Sequence, residues 1–388
     1  MRTFGKWLGR ILLMLILAAV VVFVWKREQI SRLYSVVTLY DADKIVANFS
    51  GMNLAFPNVT VERGTGPVFE LPAGAPLSMP TGFKQWTNDR AVTALVVLKD
   101  SALVHESYYQ GTTDTDRRMS FSVAKSFLSA LFGVVVAEGH IASLDDPVTQ
   151  YAPSLAGGAY DGASIRDVLQ MSSGVSFDED YLDFNSDINR MSRTLALGGS
   201  MDGFTEALAE TFIAPGTQWQ YVSIDTHVLS MVIRGATGRD IASLLSEKII
   251  APLGLEEAPY YITDGDGVAF VLGGLNLRTR DYARFAQMFL QNGFANGAQI
   301  VPADWVTAST IASDKTQPGK IQYGYQWWIP INATHGEFLG RGIYGQYIYI
   351  NQPLGIVIAT NAADKGFREG GAHASNVAMF RAIAAAAQ

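Results

Sequence analysis

The chain has no cysteine. A disulfide framework and a thiolate metal site are therefore excluded, and cysteine usage says nothing about the redox compartment. Histidine is scarce: His105, His140, His227, His335 and His373 are scattered without H-E-x-x-H or similar spacing, so neither a metal nor another cofactor is implied. Positive charge is also short. The net charge is −7, and no Lys/Arg run, zinc-finger spacing or RNA-recognition signature occurs, which argues against nucleic acid as a partner. No internal repeat or low-complexity tract interrupts the sequence.

What is present is apolar material. With 388 residues and 48% hydrophobic composition, the chain can bury a large core in one large or two medium domains. The first residues read basic, apolar, basic: Arg2, Lys6 and Arg10, the uncharged run Ile11 to Trp25, then Lys26 and Arg27. This pattern predicts a membrane anchor or uncleaved signal over 1–27, because no small-x-small cleavage site follows the run. The expected topology is a single pass through the inner (cytoplasmic) membrane with the remainder outside the cytoplasm. Residues 28–85 turn to Gly, Pro and short apolar clusters, and read as an irregular arm before a domain over 86–388.

The stretch around which that domain is organised is Met119 to Gly139. Val123, Phe127, Leu131, Val134 and Val135 recur at helical spacing, and Gly139 is a natural stop. Ser122 falls at the helix start, near unpaired N–H groups and the positive end of the helix dipole. Lys125 lies three residues on, on the same face. An ammonium against an apolar wall loses hydration, so its pKa should fall toward that of a useful base. Such a pair activates a serine without histidine. A bare S-x-x-K also arises by chance, with Ser122 as a cap and Lys125 solvated. Lys125 is, however, the only lysine with a serine three residues before it, and the following helix is uncharged until Glu138.

Around it, Thr93–Lys99 and Ala102–Tyr108 read as a β-hairpin turning at Asp100-Ser101. From Leu144 the text is helical segments joined by turns, giving a helical subdomain over about 140–262. DYARFAQMFLQNG follows as an amphipathic helix. YGYQWWIPI, GQYIYI and LGIVIAT then read as strands, and NVAMFRAIAAAA as a closing helix. Strands on both sides of a helical middle imply an α/β (α+β) fold. Its antiparallel sheet, flanked by helices, is built from both chain ends, with an inserted all-helical subdomain.

Two more segments carry polar chemistry. APGTQWQYVSIDTHVLS sets Tyr221 and Ser223 after a Pro-Gly turn, ahead of a helix, where a tyrosine can relay protons for a neighbouring Ser or Lys. GRGIYGQYIYI matches G-x-G-x-x-G at Gly340, Gly342 and Gly345. The dinucleotide reading fails there, because a strand and not a helix follows. Glycines opening a strand edge instead let a substrate lie close to backbone N–H groups.

Ser-Val-Ala-Lys, then Tyr-Val-Ser, then a Gly-rich strand, in this order and spacing, resemble the serine β-lactamase and penicillin-recognising (class C β-lactamase-related) family over residues 85–388. SLDDPVTQYAPSL, IRDVLQMSSG, PGTQWQY, TRDYARFAQMFL and IYGQYIYI are most similar to its 6-aminohexanoate-dimer hydrolase and class C-like esterase branch. The resemblance implies a β-lactamase-like fold and an acyl-enzyme serine hydrolase acting on a small-molecule amide or ester. It implies Ser122 as nucleophile, Lys125 as base, and Tyr221 as the proton shuttle to the leaving group. The oxyanion would be held by the Ser122 and Ile343 backbone N–H groups, with Tyr181, Ser223, Gly342 and Gly345 at the substrate. Two departures stand out. Ser223 replaces the usual Asn of Tyr-x-Asn, and Gly340-Arg341-Gly342 replaces Lys-Thr-Gly, which removes the cation that recognises a β-lactam carboxylate. A non-hydrolytic envelope binding module and a D-amino-acid peptidase remain as alternatives.

Overall fold

The computed structural model describes residues 2–388. Its first element, α1 (Arg2–Val37), runs through and beyond the apolar segment. Gly9–Arg27 within it has a mean hydropathy of 2.2 and buries nothing against the rest of the protein, so it is long and apolar enough to cross a membrane.

The arm after it is not irregular throughout, as its composition suggested. Helical turns form at Ile45–Asn48 and Met52–Ala55, and a strand at Asn58–Thr60 pairs antiparallel with Tyr260–Ile262. The reason is apolar burial: Phe49, Met52, Phe56 and Val61 join the main core. Polar bonds fasten the arm as well. The buried Arg118 guanidinium donates to the Val46 carbonyl oxygen and to Ser50 Oγ, both at 2.6 Å.

The main sheet is built from β1 (Val92–Lys99), β2 (Ala102–Tyr108), β3 (Gln322–Tyr323), β4 (Trp328–Ile329), β5 (Glu337–Gly342), β6 (Gln346–Asn351) and β7 (Ile356–Ala362). The order is β2-β1-β7-β6-β5-β4-β3, all antiparallel. β1 and β2 join through Asp100 (φ 48°) and Ser101 (φ 70°), the left-handed pair that a two-residue hairpin turn requires. Successive side chains leave opposite faces of the pleat. Leu95, Val97, Tyr347, Tyr349, Ile356 and Ile358 pack beneath Phe380 and Ile383 of a C-terminal helix, Ala372–Ala386. Their neighbours Val96, Leu98, Ile348, Ile350, Val357 and Ala359 face the larger core.

That core is dominated by α2 (Ala124–Ala137), where every residue from Ala124 to Val135 is buried. It lies between the sheet and a lobe of short helices that includes α3 (Asp225–Thr237), with α4 (Thr279–Leu290) against the same sheet face. Gly133 lets the Trp305 indole lie directly on α2, since a Cβ there would sit 2.3 Å from Trp305 Cγ. The helical lobe ends before Tyr260–Ile262, which belongs to a second, four-stranded sheet with Asn58–Thr60, Leu275–Arg278 and Arg117–Met119. This small sheet delivers the chain to Ser122. Met119 pairs with Asn276, and the Ser120 N–H donates to the Leu275 carbonyl oxygen at 2.8 Å. The fold class read from the sequence is the one observed.

Candidate active site

Ser122 sits in a 3-10 turn, Phe121–Val123, immediately before α2. The turn is made by Phe121, whose φ of 44° is the left-handed conformation that a bulky side chain resists, at a cost of about 1–3 kcal/mol. Packing holds it there: the Phe121 ring meets Phe49 edge-on at 5.1 Å and Tyr344 at 5.4 Å. The sharp reversal leaves Ser122 part-exposed while its neighbours are buried.

Lys125 is 1% exposed and donates a 3.3 Å hydrogen bond to the Ser223 carbonyl oxygen. Its nitrogen lies 5.6 Å from the centre of the Tyr221 ring. Burial pushes its pKa from 10.5 down to about 7, although Glu179 and Asp225 pull the other way. A lysine so placed is available as a neutral base near pH 7.

Tyr221 completes the group. Its ring stacks on Trp328 at 5.0 Å, which fixes its direction. Burial holds its pKa above that of an ordinary phenol; the Ser122 and Ser223 hydroxyls and the Arg341 charge favour its anion without offsetting the burial.

Ser223 is a crosspiece. Its N–H and its Oγ both donate to the Glu179 carboxylate, the second at 3.1 Å, while its carbonyl oxygen accepts the hydrogen bond from Lys125. Burial raises the Glu179 pKa against the pull of Ser223 and Lys125. Asp225, at the start of α3, is fully buried. Its Oδ1 accepts from Tyr160 Oη at 2.7 Å and Ser173 Oγ at 2.9 Å, and its Oδ2 has no partner. Burial pushes its pKa up to about 8.

The fourth wall is the end of β5. A Cβ on Gly342 would lie 2.6 Å from the Ser120 carbonyl oxygen and 3.1 Å from the Ser122 nitrogen, so only glycine lets the strand edge come this close. Beyond it, Tyr344 (φ 57°) and Gly345 (φ 85°) turn the chain into β6. The glycine cluster therefore closes one strand and opens the next, rather than opening a single strand. Gly345 lines neither cavity at Ser122. A Cβ on it would meet the Ala362 Cβ at 2.8 Å, and it serves the turn, not a substrate.

Two cavities meet at Ser122, Tyr181 and Ile343. One, of about 530 Å³, is walled by Glu179, Tyr221, Arg341, Arg368, Glu369 and His373 among others. The other, of about 460 Å³, is largely apolar and reaches back to the end of α1. The substitution of Lys-Thr-Gly does not remove positive charge from the first: the Arg341 guanidinium lies there, 5.5 Å from the Trp328 ring centre. His373, beside Tyr347 Oη at 3.2 Å, is kept neutral by burial and by Arg341, with its pKa pushed down to about 3.

The structure thus brings together Ser122, Lys125, Tyr181, Tyr221, Ser223, Gly342 and Ile343, and leaves out Gly345. Glu179, Asp225, Arg341 and His373 went unnoticed as site residues in the sequence. Glu179 stands two residues before Tyr181, and Asp225 two after Ser223, so proximity was the one signal on offer. Among the described residues no His/Cys/Asp/Glu group could hold a metal ion.

A Beta-lactamase family model matches residues 83–378. The 6-aminohexanoate-dimer hydrolase of Paenarthrobacter ureafaciens is 30% identical over 289 residues, covering 71% of this chain and 73% of that protein. A Bacillus anthracis structure, provisionally assigned as a 6-aminohexanoate-dimer hydrolase, superposes with a TM-score of 0.79 at 25% identity, covering 89% of this chain and 95% of the other. A D-aminopeptidase of Brucella anthropi is 28% identical over 173 residues, which is 42% of this chain and 32% of the peptidase.

Proposed function

The chain belongs to the Beta-lactamase family, a family of serine hydrolases, and on that premise we propose that it cleaves an amide or ester through an acyl-enzyme on Ser122. Neutral Lys125 takes the Ser122 hydroxyl proton as Oγ attacks the substrate carbonyl carbon. The oxyanion that forms is held by the Ser122 and Ile343 N–H groups, where the start of α2 and the Gly342 edge meet. Tyr221 then hands its proton to the departing nitrogen or oxygen and recovers one from the Lys125 ammonium, as the carbonyl–leaving-group bond breaks. Water repeats the sequence on the ester of Ser122, with the proton passing back through the same pair, and releases the acid.

The observation that carries this reading is the burial of Lys125 one helical turn from a part-exposed serine, with its pKa drawn to about 7. A p-nitrophenyl ester mixed rapidly with the protein tests it. An initial burst followed by steady release is the expected course. A burst with no later turnover would make the protein a covalent binder in place of an enzyme.

The apolar run Ile11 to Trp25, preceded by Arg2, Lys6 and Arg10 with no acidic residue among them and followed by Lys26 and Arg27 before Glu28, supports a single-pass anchor in the inner membrane with the catalytic domain outside the cytoplasm. Protease added to spheroplasts should degrade the domain; its survival until lysis would reverse the orientation.

A further inference from the structure

Two cavities that differ in their charged side chains open on one serine. The charged one contains Tyr221, Arg341, Arg368 and Glu369; Tyr221 does not line the other. The apolar one is walled by Met52, Phe56, Phe121, Ile188, Met191 and Leu195, and carries one charged side chain, Arg193. That guanidinium is already engaged, 3.9 Å from the Phe184 ring centre and donating to the Phe184 carbonyl oxygen at 2.6 Å.

The proton donor fixes the direction of the reaction across this junction. If Tyr221 protonates the leaving group, the leaving group departs into the cavity that Tyr221 lines. The acyl portion then occupies the cavity that it does not line. We infer that the preferred substrate is an ester or amide of a long, unbranched acyl chain with a polar leaving group, the chain lying in the apolar cavity and the polar part beside Arg341 and Arg368. This rests on Ser122 being the nucleophile.

The position of the apolar cavity adds a source for such a molecule. Val36, Leu39 and Tyr40 form part of its wall, and they continue directly from α1. Val36 lies nine residues beyond Arg27, the end of the apolar segment, about 14 Å along the helix at 1.5 Å per residue. That distance is about twice the roughly 5–8 Å of one interfacial zone, which sets the cavity wall just outside the headgroups. Leu182 and Phe184, also lining the cavity, are 83% and 69% exposed, and Leu54, on a helical turn packed against α1, is 79% exposed. Apolar side chains left open beside a membrane segment suit a lipid surface better than water. The chain-bearing substrate is thus a membrane amphiphile, drawn acyl-first into the cavity.

The test uses the full chain in detergent micelles with two series of esters. In the first, p-nitrophenyl acetate, butyrate, hexanoate, octanoate, decanoate and dodecanoate lengthen the acyl part. In the second, alkyl acetates of the same lengths extend the alcohol. The expected result is a kcat/KM that climbs up to about fourfold per methylene in the acyl series, the gain that burial of one CH2 group gives, and then levels off once the cavity is full. The alcohol series should stay flat. Met191→Phe, and more strongly Leu195→Trp, should move the acyl optimum to shorter chains, read as the decanoate-to-butyrate ratio. A flat acyl profile with acetate still hydrolysed would overturn this inference and leave the serine hydrolase reading intact. A rise in the alcohol series alone would reverse the cavity assignment. Failure of every ester, with no adduct on Ser122, would instead sink the reading on which the inference rests.

Discussion

The Lys125 nitrogen lies 3.3 Å from the carbonyl oxygen of Ser223, a residue whose amide and hydroxyl are both tied to Glu179. The base of the site is therefore oriented by backbone, and that backbone is clamped by a carboxylate from a different loop.

Lys125 must be neutral to accept a proton, and burial sets its pKa at about 7. The kcat/KM should rise with pH through about 7 and level off above it. Asp225 raises the lysine pKa, so Asp225→Asn should move this rising limb to lower pH. A pH profile whose limb stays put or moves upward would contradict the placement of the base.

Glu179→Gln keeps one acceptor for Ser223 and loses the charge. The limb should again shift downward, because Glu179 also raises the Lys125 pKa. The weakened grip on Ser223 should lower kcat by about tenfold, the scale of a charge-assisted hydrogen bond. Equal kcat in both proteins would mean that the clamp does not orient the base.

At the strand edge, Gly342→Val places a side chain against the Ser120 carbonyl and the Ser122 amide. Loss of the close approach should cost about 10²–10³-fold in kcat, as loss of one oxyanion donor does. Circular dichroism should show an unchanged fold, separating this from collapse of the sheet.

Gly133 is a purely structural counterpart. Gly133→Val drives a side chain into the Trp305 ring, and overpacking of this kind costs about 1–3 kcal/mol. Denaturant unfolding should report the loss, while kcat for the folded fraction is unaffected.

Local pattern explains what was legible in the sequence. The unbroken apolar run Leu95, Val96, Val97 and Leu98 read as one arm of a hairpin, which the structure buries on both faces, and the run from Val123 to Val135 read as a helix with Ser122 at its head. Tyr221 was legible because a Pro-Gly turn precedes it. Asp225 was not, since its meaning depends on Tyr160 and Ser173, which lie 65 and 52 residues away. Gly340-Arg341-Gly342 was read as a motif that had lost its cation; the stack over Trp328 that directs Arg341 into the cavity is a tertiary fact. The arm read as irregular for the same reason: Phe49 and Met52 acquire a partner only when the core is assembled.

The most direct measurement is the mass of the protein after reaction with a fluorophosphonate, with the adduct mapped by peptide. The account predicts a single adduct on the peptide carrying Ser122. It further predicts none in Ser122→Ala, and labelling slowed by about 10²-fold or more in Lys125→Ala, the scale of a lost proton-transfer group. Labelling of the Ser122→Ala protein at the unaltered rate would contradict it.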